Sequence, residues 1–221
     1  MFVSFWFSFR KSLHTNSKLS IHKQLGIKLR KADVTDKKLV SEILVSAFLT
    51  LEETNSINFV VKQDKKRNKR MQILMEYLFE KAIHYGEVHI SENNKACILL
   101  KFQNKEKITL KSIILDINLA IKCIGIERIL NVLKRQRIAN KYYPKEKHIR
   151  PMIMGVKKEY KGNGTAARLM LEVKNKFKNN KLPIILDTTS KENAKLYEKF
   201  GFKIIKKEEA LGFPIYFLRL N

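Results

Sequence analysis

The sequence of 221 residues predicts a mixed α/β domain of the α+β type, a sheet covered by helices. Three observations carry this reading. Short apolar runs bounded by turn residues alternate with longer stretches whose apolar residues recur at helical spacing, in the order βααββ, helices, βαβαββ. Hydrophobic residues make up 44% of the chain and charged residues 30%, which suits a chain with a core and excludes disorder throughout. Pro and Gly number only 4 and 8, which excludes collagen-like and linker-like classes.

The pattern starts near Gly26, where Ile27, Leu29 and Ala32 suggest a short strand. Thr35 or Asp36 can cap a helix with apolar positions Leu39, Val40, Ile43, Leu44, Ala47 and Phe48. A polar break with the basic cluster Lys62–Arg70 follows. Met71, Leu74, Met75, Leu78, Phe79 and Ala82 then predict a helix over 69–84. Glu87–Ser91 alternates and Ala96–Phe102 is an apolar run. Asn93-Asn94 between them suits a hairpin, because Asn tolerates positive φ. Residues 109–141 read as helical, with Ile113, Ile114, Ile117, Ala120, Ile121, Ile124, Ile129, Leu130 and Leu133 on one side. Gly125 is a possible break within them, and Pro144 closes the stretch. Pro151–Val156 is a buried-strand run, and the turn from Lys161 to Ala166 opens a helix over 165–179. Pro183–Leu186, a helix over Glu192–Phe200 ending at Gly201, and strands at Phe202–Lys206 and Phe213–Leu220 complete the order. Residues 1–25 are read as a peripheral extension and 26–221 as one domain, with no segment that looks like a linker.

Lys and Arg number 45 against 21 Asp and Glu, a formal net charge of +24. Such a field favours anionic partners. Only ten of the basic residues are Arg, and the Lys is spread over nearly every segment, so a solvated surface is the expected role and a nucleic-acid partner is not expected. Cys97 and Cys123 sit in no CxxC and near no useful His, so neither a disulfide framework nor a metal site is suggested, and a reducing cytoplasm fits best. No apolar stretch reaches the roughly 18 residues of a membrane helix, and Phe2–Phe9 is followed by Arg10 and Lys11 instead of preceded by them, the reverse of a secretory signal. No membrane partner is expected.

The chemistry concentrates between Met152 and Phe202. A strand ends at Val156, and Gly162-Asn163-Gly164 opens a helix six residues later. Glycines at a strand-to-helix turn leave backbone N–H groups facing outward, and the helix N-terminus adds a partial positive charge. That is a cradle for a pyrophosphate. Alone it is a weak signal, because tight turns use the same residues for steric reasons. No Gly-x-x-x-x-Gly-Lys-Ser/Thr string occurs, so a P-loop is excluded. A Rossmann turn would put its third small position at Ala167 and its acidic residue at Asp187, but too little chain follows for a doubly wound sheet.

Lys161-Gly-Asn-Gly164-Thr-Ala166, and then Asn193, Tyr197, Gly201 and Phe202 some 30 residues later, resemble the GNAT acetyltransferase superfamily. Its pattern is Arg/Gln-x-x-Gly-x-Gly/Ala after a strand, then Asn-x-x-x-Tyr and Gly-Phe. Leu186-Asp187-Thr188 is similar to the family's Leu-Glu-Thr, and His148 recurs before the strand in the branch with helices inserted ahead of it. Lys161 departs from Arg or Gln, and Lys158 stands where Pro is common. The close likeness covers about 148–220, the cofactor half of the chain (148–221).

The resemblance implies a mostly antiparallel central sheet flanked by helices, acetyl-CoA as donor and an amine as acceptor. The pyrophosphate would lie on the amides of Lys161, Gly162, Asn163, Gly164, Thr165 and Ala166, and the pantetheine arm against Met154, Gly155 and Val156. Tyr197 is placed to protonate the leaving thiolate, against the alternative of an aromatic that packs the helix on the sheet. Asn193 either bonds the pantetheine or caps its helix. Glu87, Glu92, Asp187 or a water chain are candidates for taking the amine proton, and His148 is the weaker candidate, because a lone His at a strand entry is more often structural. The helix-inserted branch points to a small-molecule amine, and a homodimer is compatible with the sequence. Alternatives are an acetyltransferase of a protein or nucleic-acid-associated amine, or a basic binding protein that keeps the turn without turnover.

Overall fold

The computed structural model describes residues 28–53, 55–105, 107–180 and 182–221. The expected extension over 1–25, and Gly26 and Ile27 of the first strand, lie outside the described residues.

Seven strands form one sheet in the order β1-β2-β3-β4-β5-β7-β6. They are β1 (Leu29–Lys31), β2 (Gly86–Ser91), β3 (Ala96–Phe102), β4 (Ile149–Val156), β5 (Ile184–Thr188), β6 (Lys203–Glu208) and β7 (Ile215–Leu220). Every neighbouring pair is antiparallel except β4–β5. The β2–β3 turn passes through Asn94 at φ 54, the conformation for which its short polar side chain suits it.

Helices α1 (Lys37–Phe48) and α3 (Arg67–Tyr85) cover one face of β2–β4. Val40, Ile43, Leu44, Met71, Met75 and Phe79 are buried there against Val88, Ile90 and Leu99. Each such side chain contributes about 1.5–3 kcal/mol by leaving water. Helices α6 (Thr165–Lys176) and α7 (Lys191–Lys199) cover the opposite face, where Leu169, Met170, Val173 and Ala194 meet Ile98, Leu100, Ile149, Leu186 and Leu218. A third cluster joins Ile215 and Phe217 of β7 to Phe59, Ile138, Tyr142 and Tyr143, from helices α2 (Ser56–Val60) and α5 (Ile129–Tyr142) and the residue after it.

Two local expectations are corrected. Asp36 stands at the N-cap of α1 but makes no side-chain cap bond to it; the capping bonds are made one turn earlier, by Asp33. Val34–Asp36 forms a 3-10 turn whose Asp33 carboxylate accepts from Thr35 N–H, while Asp36 is held by Asp33 N–H and by two bonds from Arg30. The polar break contains α2, nucleated by Asn55, whose side chain accepts from the N–H groups of Ile57 and Asn58. The basic cluster beside it is partly structural: Arg67 donates to the carbonyls of Leu49 and Leu51, and Arg70 forms a two-bond pair with Asp64.

The helical stretch expected over 109–141 divides at Gly125, which adopts φ 87. Helix α4 (Leu110–Leu119), capped by Thr109, runs into a π turn at Ala120–Ile124, and α5 follows after a 3-10 turn. The expected apolar side of this stretch divides: Ile124 is buried and Ile129 packs against the core, while most of the other positions face outward. Ile113, Ile114, Ile117, Ile121, Leu130 and Leu133 are all exposed. The buried positions of the α4 region are Ser112, Leu119, Cys123 and Ile124.

Candidate functional site

Strands β4 and β5 are parallel, adjacent and paired only at Ile149↔Ile184, where Ile149 N–H bonds Pro183 O at 2.9 Å. The sequence supplies a reason for the parting. The next β4 residue whose backbone faces β5 is Pro151, which has no N–H to continue the ladder. A register shift at Leu99/Leu100 then places one extra residue in β4, Met152, between the partners of those two residues.

Beyond the bulge, Lys157 N–H bonds Lys95 O at 2.9 Å. Bonded pairs alternate along an antiparallel ladder. Gly155 and Ile153 therefore direct their backbone groups to β3, while Met154 and Val156 direct theirs into the opening beside β5. Of the three strand residues expected to line a ligand, Gly155 thus has another task. A Cβ there would lie 2.8 Å from Leu44 Cδ2, so glycine lets α1 pack directly on β4.

From the open end of β4 the chain passes through a 3-10 turn, Lys158–Tyr160, into Gly162 at φ 90 and Gly164 at φ 68. Both glycines hold the left-handed conformation. A Cβ on Gly162 would meet nothing within 4 Å, so the turn is bare on its outer side. The first helical bond of α6 is Arg168 N–H to Gly164 O. The amides of Thr165, Ala166 and Ala167 precede it and have no acceptor within the helix. These amides, the positive end of α6 and the open glycines form a cradle that fits a diphosphate.

The Lys161 side chain points away from the turn's open side, to α1. Its Nζ donates to Ala47 O at 2.6 Å, and its own N–H bonds Lys158 O. Burial and the neighbouring Lys158 hold its ammonium below the usual lysine range. It anchors the turn to the end of α1. The cation over the turn is Arg168, whose Nη2 bonds Asn163 O at 2.8 Å and lies 3.5 Å from Thr165 Oγ1. The sequence reading missed Arg168. The available signal was its place one turn into the helix that the glycines open.

On α7, Ser190 is the cap: its Oγ accepts from Asn193 N–H at 3.1 Å. That removes the capping alternative for Asn193. Its half-buried side chain makes no hydrogen bond among the described residues. Tyr197 lies one turn further on, its ring 5.6 Å from that of Phe202. Its hydroxyl has no hydrogen-bond partner among the described residues, yet it is not sealed from solvent. Burial, and secondarily the Asp187 carboxylate, push its pKa up to about 12.

The candidate carboxylates fare differently. Asp187, near the end of β5, is mostly buried; Arg135 Nη2 donates to it at 2.8 Å and Arg150 Nη2 at 3.2 Å, and the Tyr143 hydroxyl also bonds it. Burial opposes its ionisation, but Arg135 and Arg150 hold its carboxyl below the usual range. It is the centre of an ion cluster, with the Arg150 guanidinium 4.1 Å from the centre of the Tyr143 ring. Glu87 binds Lys31 and Lys176, both at 3.1 Å, and His89 at 2.9 Å, on the α6 side of β2. Glu92 stands exposed in the β2–β3 turn. His148 is buried, bonds Glu146 O and stacks on Tyr143, and burial keeps it neutral to lower pH than usual.

Residues 119–204 match the family model of the acetyltransferase (GNAT) domain. An acetyltransferase from Corynebacterium glutamicum, titled histone acetyltransferase HPA2 and related acetyltransferase, superposes with a TM-score of 0.63 at 16% identity, over 87% of this chain and 94% of that one. The C-terminal condensation domain of Ebony, solved with beta-alanyl-dopamine, gives 0.61 at 13% identity over 87% and 97%. Arylalkylamine N-acetyltransferase 2 from Aedes aegypti gives 0.58 at 13% identity over 87% and 97%. No curated protein sequence matches the chain. The chain carries the GNAT acetyltransferase fold. The mixed, mostly antiparallel sheet flanked by helices fits that assignment. Within the GNAT fold, the opening between β4 and β5, the bare turn at Gly162–Gly164 and the Tyr197 hydroxyl, which has no partner among the described residues, occur in one connected stretch from β4 to α7. The described residues hold no group of His, Cys, Asp and Glu suited to a metal ion.

Proposed function

We propose that the chain is an N-acetyltransferase that moves the acetyl group of acetyl-CoA to a primary amine of a small molecule. The observation that carries this is the parting of β4 from β5 together with the bare glycine turn that leads from β4 into the N-terminus of α6. A diphosphate fits the turn, and an amide-bearing arm fits the two outward-facing β4 residues. Tyr197 stands with no other partner for its hydroxyl among the described residues.

The donor supplies a thioester, and this chain's residues orient it. Amides from Gly162 to Ala167, with Arg168 beside them, hold the diphosphate. Met154 and Val156 pair with the pantetheine amides as an added strand would. A neutral amine attacks the thioester carbonyl carbon, and an N–H at Met154 stabilises the oxygen as it gains charge. The C–S bond then breaks, and Tyr197 donates its proton to the departing thiolate. Asp187 and Glu87 are both occupied by cations, so the proton of the attacking amine passes to water.

Amine acceptors draw support from two structural neighbours whose names refer to an arylalkylamine and to beta-alanyl-dopamine. The test is an acetyl-transfer screen over aminoglycosides, polyamines, amino acids and peptides. Free CoA thiol is measured, and products are checked by mass spectrometry. Thiol release that saturates with one amine class, with the acetyl on nitrogen, is the expected result. Saturable acetyl-CoA binding with no transfer to any amine would leave a binding protein on this fold and end the proposal.

A further inference from the structure

Helix α4 has two apolar faces. Ser112, Leu119 and Cys123 face the protein, against α3. At about 100° per residue, Leu110, Ile113, Ile114, Ile117 and Ile121 share a stripe about 100° wide on the opposite side. Beyond the bend at Gly125, Ile126, Leu130 and Leu133 are further exposed apolar residues. All eight are between 43% and 79% exposed, and Ile108 before them is 89% exposed. So many exposed aliphatic residues within one helical segment of a lysine-rich protein point to a docking face.

Charge selects the occupant. From 105 to 141 the chain has nine Lys and Arg against three Asp and Glu. Lys111 and Lys122 fall on one margin of the α4 stripe and are exposed, Lys111 also lying 2.9 Å from His84 and 3.8 Å from Glu80 of α3. Asp116, on the other margin, is neutralised by Lys81 at 2.9 Å and bonded by Tyr77. Glu127 is paired with Lys62 at 2.5 Å. A second copy would bring two rims of the same sign together in a protein of net charge +24. An anionic bilayer presents the opposite sign to the rim and an apolar interior to the stripe.

We propose that the α4–α5 segment seats this protein on the surface of a membrane containing anionic lipid, with the isoleucines buried in the interface and the lysines among the headgroups. This is peripheral binding: no described helix is long and apolar enough to cross a membrane. It departs from the expectation of no membrane partner drawn from the sequence, and it stands independently of the catalytic proposal.

The experiment is vesicle flotation with the full chain, using phosphatidylcholine mixed with phosphatidylglycerol and phosphatidylcholine alone. Binding to the mixed vesicles is expected, with part of it surviving about 0.5 M salt, where surface charge is strongly screened. The deciding variant is Ile114→Ser with Ile117→Ser, which changes no charge and touches exposed positions only. Its affinity for mixed vesicles is expected to fall at least about tenfold while its melting temperature stays put. Equal binding by variant and wild type would make the adsorption purely electrostatic and overturn the proposal. So would a dimer, seen by light scattering, that the same variant dissociates without any vesicle binding. A lowered melting temperature without vesicle binding would mean that the chain's own residues cover the face, and would overturn it too.

Discussion

Replacing Tyr197 by Phe separates a catalytic hydroxyl from a packing ring. The ring's contact with Phe202 at 5.6 Å survives the change. The hydroxyl bonds nothing among the described residues, so its loss orphans no partner, and stability should move by no more than about 0.5 kcal/mol. The kinetic effect is bounded by acidity. A phenol held near 12 is fully protonated at neutral pH, but it is a weaker acid than an ordinary thiol near 8.5. Proton transfer to the thiolate therefore runs uphill, and the gain belongs at the low end of general-acid catalysis. A fall in kcat of about 100-fold follows, about 2.7 kcal/mol in the barrier, with KM for acetyl-CoA changed less than about twofold. Stability gives a second signature. Because the folded-state pKa is raised above the unfolded value of 10.0, the contribution of the phenol is whole below pH 10 and is lost as pH rises through about 12. The Phe variant should lack that alkaline slope. Steady-state thiol release and thermal melts over pH check both. A kcat within about twofold of wild type, with the melt unchanged, would refute the catalytic reading and leave Tyr197 a packing residue.

Gly164→Trp places a bulky side chain at φ 68 in the bare turn. Acetyl-CoA affinity should drop at least about 100-fold by calorimetry, with about 1–2 kcal/mol of backbone strain in the melt. Arg168→Ala should weaken acetyl-CoA about tenfold and leave the amine KM alone, since the guanidinium sits at the turn. Asp187→Asn should cost about 3–5 kcal/mol in urea unfolding, because Arg135 and Arg150 would lose their shared carboxylate. A loss of activity without a loss of stability would restore Asp187 as a base. Glu87 resists protonation down to about 2 although burial opposes its charge, because Lys176 and Lys31 hold it ionised. Its share of stability is present above about pH 4.5 and lost as pH falls through about 2. Allowing for solvent screening it is worth about 1 kcal/mol, so Glu87→Gln should flatten the acid limb of an unfolding titration.

The glycine turn was legible because its demands are local. A positive φ at Gly162 and Gly164 and a helix that begins at Thr165 follow from residues next to one another. The same holds for the Asn94 hairpin and the break at Gly125. The parting of β4 and β5 was written in Pro151, but only the pairing shows which way that proline faces. What escaped were partners distant in sequence. Lys161 reaches Ala47 across 114 positions, and Asp187 collects Arg135, Tyr143 and Arg150 from 52, 44 and 37 positions away. A lysine beside a phosphate turn and an aspartate at a strand end look available until those partners are placed.

Hydrophobic spacing has a parallel limit, and α4 shows it. Period 3.6 says that apolar residues share a side of a helix, and it is silent on whether that side faces in or out. Where one side is apolar and the other charged, as in α1, packing resolves the choice and Ile43, Leu44 and Ala47 go inward. In α4 the wider isoleucine stripe stays outside, while the narrower set of Ser112, Leu119 and Cys123 meets the protein. The contacts of α4 explain the orientation. Asp116 reaches Tyr77 and Lys81, and Lys111 lies 2.9 Å from His84, so polar anchors on α3 fix the rotation of the helix. Turning the isoleucines inward would break those anchors and bury the lysine. A helix held this way by its margins keeps its most apolar residues free for another surface, which is why the vesicle experiment addresses these positions rather than the net charge of the chain.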